Sequence, residues 1–449
     1  MNRFKKLTTV LGKSANVMNA ELATGNAAWE DDYRKGREAA FGLNWTKVDG
    51  RRGIELLTKA ANAGSNEAKA ELAELYWNGC AGTPTDAERA YALALEAAAS
   101  ENPFALRVLG LCCKQGRGVA KNEKAAARYF KRALRGFKKR AENGDVRSKT
   151  TLMEMQYNGN GCAVDGDACF RWAREAAEAG SAEGMGNLGV CYGEGIGVER
   201  NGELAFEWVR KGAEAGDLSA MCNLGYHYEQ GIAVEQDDEK AVEWRRKSAE
   251  AGDAWGMFWL GVYYGKGIVV EQDDEKAVEW LAKSADAGVG EAMLRLGDCF
   301  LDGIGVERNE EKAVEWYRKS AEAECAAATG RLAVCYAAGI VVEQNEKKAV
   351  EWARRGAEAG EPLSAYLLGG YYYSGAGVGK NYKKAVKWFR ESAEAGCASA
   401  ATLLGVCYEN GRGVAKDIIQ AIEWYRKAVE SGDPTAKERA LEALQRLEA

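Results

Sequence analysis

Twelve cysteines and one histidine are the residues of this chain with the most obvious chemical potential. Cys191, Cys299, Cys335 and Cys407 stand at multiples of 36 residues from one another, each just before an aromatic residue. That recurrence spreads them over several units instead of gathering them at one centre. His227, Tyr263 and Tyr371 take the same place elsewhere, so the position calls for a mid-sized, part-buried side chain. No Cys-x-x-Cys pair exists, and adjacent Cys112 and Cys113 would chelate zinc poorly. Buried free thiols are therefore expected, which implies a reducing compartment. A single imidazole excludes His-rich metal sites, and the repeat position of His227 points to packing, not to general-base work. Gly195-Ile196-Gly197 and its echoes lack the preceding strand and following Lys-Ser/Thr of a phosphate loop. Asp237-Asp238 and Asp273-Asp274 lack the alternating acids of a calcium loop and read as helix caps with first-turn acids. No catalytic, cofactor-binding or metal-ligating set emerges, and the chain reads as non-enzymatic.

The elements that carry these residues are repeats. Trp172, Trp208, Trp244, Trp280, Trp316, Trp352, Trp388 and Trp424 fall at a constant spacing of 36. Parallel ladders run through Leu224, Tyr228 and Gly231 and their counterparts. Leu56, Leu93 and Tyr129 take the tryptophan position in earlier, less regular units, giving about eleven repeats. The step from Tyr129 to Trp172 is 43 residues, two helical turns more than 36, so that unit's second helix should lengthen without changing face.

Residues 218–253 show what one unit requires. Ala220, Leu224 and Tyr228 form the apolar stripe of a first helix, A, which Gly231 ends in a left-handed conformation. After a short loop, Asp237 caps a second helix, B, that buries Ala241, Trp244 and Ser248. Ala251-Gly252 ends B. Glu324 replaces glycine at that joint, where an irregularity is expected. Small residues at Gly184, Ala220, Gly256 and their counterparts are expected to let neighbouring A helices approach. Each helical hairpin has an apolar face too wide to bury alone, so hairpins must stack.

Composition agrees with a folded all-α chain: four prolines in 449 residues interrupt few helices. The net charge is −6, yet residues 101–150 carry fourteen Lys/Arg against four Asp/Glu. No stretch of about 18 apolar residues suits a membrane span. The expected layout is a basic N-terminal arm or cap over residues 1–35, repeats over 36–432 and a capping helix over 433–449. The repeats divide into degenerate ones, 36–181, and regular ones, 182–432. A cytoplasmic location is expected. The basic, acid-poor residues 1–20 leave a mitochondrial transit segment as the alternative.

The pattern Leu224-Gly225-x-x-Tyr228-x-x-Gly231-x-x-Val234, then Lys240-Ala241-x-x-Trp244, resembles the Sel-one-like repeat family. That family consists of α/α repeats related to tetratricopeptide repeats. The resemblance implies a right-handed α/α superhelical solenoid whose concave side, formed largely by A helices, binds proteins or peptides. It further implies scaffold or adaptor roles. A secreted subfamily carries two periodic cysteines per repeat in disulfides, a pattern from which this chain departs.

By the same resemblance, positions two and six of each A helix face the groove. Trp255 and Trp259 occupy them in one repeat, Asn187, Asn223, Arg295 and Arg331 hold position six in others. Two exposed tryptophans on one helix face would anchor an apolar group of an extended or helical peptide. Arg295 and Arg331 would then meet its acidic group. Packing against a neighbouring A helix, or self-association, are the alternatives. A second candidate is the basic patch of Lys131, Arg132, Arg135, Lys138, Lys139 and Arg140, suited to an acidic protein partner. An electrostatic adaptor for anionic membrane or nucleic acid through residues 128–140 is a lesser alternative, with nucleic acid disfavoured. A cysteine-using organellar assembly factor or hydrolase-like repeat protein is another.

Overall fold

The computed structural model describes residues 29–41, 50–79, 85–430 and 433–448. The basic stretch of residues 1–20 and Cys80 lie outside them. Among the described residues there are 23 α-helices, one short 3-10 turn and no strand. The chain divides into two units: residues 1–273 with 286–288, and residues 274–285 with 289–449. Within each, consecutive helices pack as antiparallel neighbours, and A helices also touch across the intervening B helix. The helix Glu30–Phe41 runs across the expected 35/36 boundary and packs on Gly50–Asn62. The last helix, Pro434–Glu448, packs on Ile418–Glu430 and Ala398–Asn410.

Leu218–Gln230 and Asp238–Glu250 illustrate how the hairpin closes. Asp217 accepts from the Ala220 amide at 2.7 Å and so satisfies a free donor at the start of helix A. Gly231 ends that helix at φ 65°. The Asp237 side chain accepts from the Lys240 amide at 2.9 Å, and its own amide donates to the Tyr228 carbonyl at 2.9 Å. One residue therefore caps helix B and ties it to helix A. Ser248 completes the closure by donating to the Leu218 carbonyl at 3.0 Å, as Ser320 does to Gly290 and Ser392 to Pro362.

The core of most hairpins corrects the expected role of the tryptophan ladder. Trp172 and Trp424 are buried, but Trp208, Trp244, Trp280, Trp316, Trp352 and Trp388 are only half-buried, and the residue after each tryptophan is buried. Val209, Arg245, Leu281, Tyr317, Ala353, Phe389 and Tyr425 fill that place. The ladder glycine on helix A makes room for it: a Cβ on Gly297 would lie 2.6 Å from the Tyr317 ring, and one on Gly369 2.6 Å from Phe389. Where helix B offers only Ala353, helix A carries Ala333 instead of glycine. The tryptophans close the outer edge, with a Lys or Arg three residues on resting over most rings: Lys211 on Trp208, Lys247 on Trp244, Lys283 on Trp280.

Three further expectations meet the structure in detail. The small residues that open helix A seat against the preceding B helix as well as the neighbouring A helix: a Cβ on Gly184 would lie 2.7 Å from Ala176, whereas Ala220 would lie 3.2 Å from a Cβ on Gly186 of the preceding A helix and the Ser364 hydroxyl lies 3.2 Å from that of Thr329. Glu324 leaves its joint regular, because it adopts φ 63° like the glycines it replaces. Its cost is conformational strain on a side chain that prefers φ below zero. The lengthened B helix, Glu123–Glu142, keeps one buried face of Phe130, Ala133, Leu134, Phe137 and Ala141, as its two extra turns require.

Candidate functional site

Helix Ala254–Lys266 presents both tryptophans of the expected site to one cleft. Its volume is about 270 Å³, and Ser219, Cys222, Asn223, Asp253, Trp255 and Trp259 line it. Trp255 is 46% exposed. Trp259 is half-buried, and the Phe258 ring meets both tryptophans edge-on, at 5.7 and 5.3 Å between centroids. Asn223 joins them from the A helix of the preceding repeat. Asn187 sits half-buried on Ala182–Glu194 and does not line the cleft.

Beneath Trp259 lies a group that the ladder pattern alone assigned no role. Arg245 occupies the buried place after Trp244, where other repeats hold Val209, Leu281 or Phe389, and only 1% of it reaches solvent. Its guanidinium stacks on the Trp259 ring at 4.3 Å, pairs with Glu229 at 2.9 Å and donates to the Tyr263 hydroxyl. A buried cation survives because it is paired, hydrogen-bonded and stacked at once. The signal was present in the sequence as a charged residue in an otherwise apolar column.

Carboxylates follow the A helices of this unit. Burial holds Glu183, Asp217 and Asp253 above the usual carboxylate range, and Asp217 is raised further by Asp253. Asp253 accepts from the Gly256 amide at 2.6 Å, and Glu183 from the Thr150 hydroxyl at 3.0 Å. None of the three forms an ion pair among the described residues.

Earlier A helices are closed by their own charges. Arg107 bridges Glu74 at 3.1 Å and Glu154 at 2.7 Å, while Arg147 pairs with Glu71 at 2.6 Å and with Glu74. Arg37 adds a contact to Glu71 at 3.2 Å, and Arg147 also lies over the Phe104 ring at 4.3 Å. Sequence reasoning missed this network because its members come from A helices of four degenerate repeats and their pairings do not recur along the chain. In the second unit, Arg295 is exposed without an ion pair among the described residues. Arg331 already holds Asp298 at 3.2 Å, and Asp298 accepts from the Tyr317 hydroxyl at 2.8 Å.

The basic patch divides into free and occupied cations. Lys131, Arg135, Lys138 and Lys139 are exposed along Glu123–Glu142. Arg132 pairs with Glu101, and Arg140 lies over Phe104 at 5.7 Å. The eleven described cysteines are free. Burial pushes the Cys191 and Cys222 thiols up to about 12 and those of Cys335 and Cys407 to about 11, which suppresses the thiolate. His227 is buried, with Nδ1 3.1 Å from the Ile232 carbonyl and its ring 5.7 Å from Phe206, a packing role. Among the described residues no helix is long and apolar enough to cross a membrane.

Eleven segments match the Sel1 repeat model: 36–65, 66–102, 103–136, 154–181, 182–217, 218–253, 256–289, 290–325, 326–361, 362–397 and 398–433. The chain belongs to the Sel1 repeat family. Its one long gap between matched segments, residues 137–153, falls at the end of the lengthened basic helix. Among solved structures the chain is similar to c5321, a protective antigen of uropathogenic Escherichia coli strains displaying an SLR fold, at 29% identity. That match covers 98% of this chain and 94% of the other, with a TM-score of 0.50. It is also similar to a Sel1 repeat protein from Oxalobacter formigenes, at 29% identity over 69% of this chain and 90% of that one, with a TM-score of 0.48. No curated protein matches it. Sel1 repeat solenoids generally act as non-catalytic protein-interaction scaffolds.

Proposed function

We propose that this Sel1 repeat chain is a non-enzymatic adaptor that captures a protein or peptide on its A-helix face, with Trp255 and Trp259 as the anchor. The observation that carries this reading is Trp255 itself. An indole left 46% exposed beside a second tryptophan, in a cleft, is a large apolar surface with no folding role to account for it. Asn223 supplies an amide at the same cleft, and Asn187 continues the polar side of the A-helix face. Arg295 is available to an acidic group of a partner, whereas Arg331 would have to exchange Asp298 for it. The buried thiols favour a reducing location such as the cytoplasm.

The test is affinity capture from the native source with wild type and Trp255→Ala. Trp255 is the cleaner site, because Trp259 also carries the buried Arg245 guanidinium. Trp255→Ala should keep the helix content and lower affinity for the captured protein by about 2 kcal/mol. Unchanged affinity would place the anchor elsewhere. A second surface has its own support: Lys131, Arg135, Lys138 and Lys139 form an exposed basic row suited to an acidic protein partner. Charge reversal there should reduce salt-sensitive capture without touching the cleft.

A further inference from the structure

We infer that the Trp255/Trp259 cleft takes a cationic side chain, an arginine or lysine of a peptide partner, between its indoles and the Asp253 carboxylate. This rests on the partner-binding reading of the same cleft and names the chemistry of the group that enters it. Of the six residues lining the cleft, two are tryptophans and Asp253 is the one with a charge. Indole faces attract cations through the ring quadrupole, and a guanidinium is already stacked on Trp259 at 4.3 Å. That internal cation, Arg245, is balanced by Glu229. Asp253 has no such counter-charge among the described residues: its contacts are hydrogen bonds, a cap to Gly256 at 2.6 Å and others with the Ser248 side chain and the Trp255 backbone.

The surroundings point the same way. Asp217 and Glu183 continue the line of unpaired carboxylates along the A helices, each raised by burial and by a neighbouring acid. An incoming cation relieves that repulsion, whereas an acidic group would add to it. A purely apolar side chain would fill the cleft but leave the half-buried carboxylate without a counter-charge. An arginine therefore satisfies both the ring faces and the charge, through stacking and a fork of donors.

Fluorine NMR of the full chain labelled with fluorotryptophan tests this directly, the two resonances being assigned by Trp255→Phe and Trp259→Phe. The probes are N-acetyl-arginine amide and N-acetyl-leucine amide, titrated through the millimolar range. Saturable shifts of both indoles with the arginine probe are expected, with weaker or no shifts from the leucine probe. Asp253→Asn, which preserves the cap, should weaken the arginine probe about tenfold. Absent shifts with arginine, a preference for leucine, or indifference to Asp253→Asn would each overturn the cationic assignment. If leucine wins while Trp255→Ala still abolishes partner capture, the adaptor reading stands without its cation. If arginine binds but Trp255→Ala leaves capture intact, the cleft keeps its cation and loses its role in capture.

Discussion

Replacing Arg245 probes whether a buried charge supports the tryptophan platform. Arg245→Ala deletes a side chain that is 1% exposed and leaves the Tyr263 hydroxyl, itself buried, without its donor. Glu229 also loses its cation, although part of its side chain already reaches water. Breaking a buried pair from one side costs about 3–5 kcal/mol, and the partial exposure of Glu229 puts this case near about 3. The double variant Arg245→Leu/Tyr263→Phe removes both polar groups of the buried contact and fills the space. It should stay within about 1 kcal/mol of wild type, as Leu281 does this work in the next repeat. Long repeat arrays do not unfold as one cooperative unit, so the assay is native-state hydrogen exchange resolved to Leu218–Gln230 and Ala254–Lys266. A loss of 3 kcal/mol accelerates exchange there on the order of 100-fold. Equal acceleration in both variants, or less than about threefold with Arg245→Ala, would refute the view that pairing and stacking hold this helix.

Three other outcomes are expected. Glu324→Gly should stabilise its joint by about 1 kcal/mol in native-state hydrogen exchange of Glu310–Glu322 and Ala326–Ala338, because the native φ of 63° strains any side chain with a Cβ; destabilisation would show that the glutamate has a compensating contact. Asp217→Asn should stabilise Leu218–Gln230 most at neutral pH, read as slower native-state hydrogen exchange than wild type at the same pH. Burial raises the folded pKa of Asp217 above its unfolded value, so wild type binds the extra proton when folded and loses stability as pH rises through the folded pKa. The gap between the two proteins should therefore narrow as pH falls towards the unfolded value, and a gap that widens in acid would contradict the assigned direction. Most thiols should resist a thiol reagent in the native state, and all twelve should react after unfolding without reductant; fewer than twelve would reveal disulfides.

The hairpin was legible in the sequence because its requirements repeat every 36 residues. Caps such as Asp237, terminators such as Gly231 and the core leucines each recur where the backbone demands them. The ladder misled at the tryptophans, since strict recurrence marks a needed residue without saying whether it fills the core or seals an edge. Trp244 seals, under Lys247, and Arg245 fills. The candidate site was visible only as departures from the pattern. Trp255 and Trp259 stood out because their column is mostly polar, and Arg245 could have been found by the same logic. The Glu71, Glu74, Arg107 and Arg147 network had no such signal, because pairing across degenerate repeats depends on three-dimensional register. The pairing of Arg331 with Asp298 likewise follows from two A helices in contact, not from spacing.

The central claim is that Trp255 anchors a partner. The most direct measurement is the affinity of the chain for the protein it captures, wild type beside Trp255→Ala, with circular dichroism on both. Affinity lowered by about 2 kcal/mol at equal helix content is the result predicted here. Equal affinity at equal helix content would contradict it and turn attention to the exposed row of Lys131, Arg135, Lys138 and Lys139.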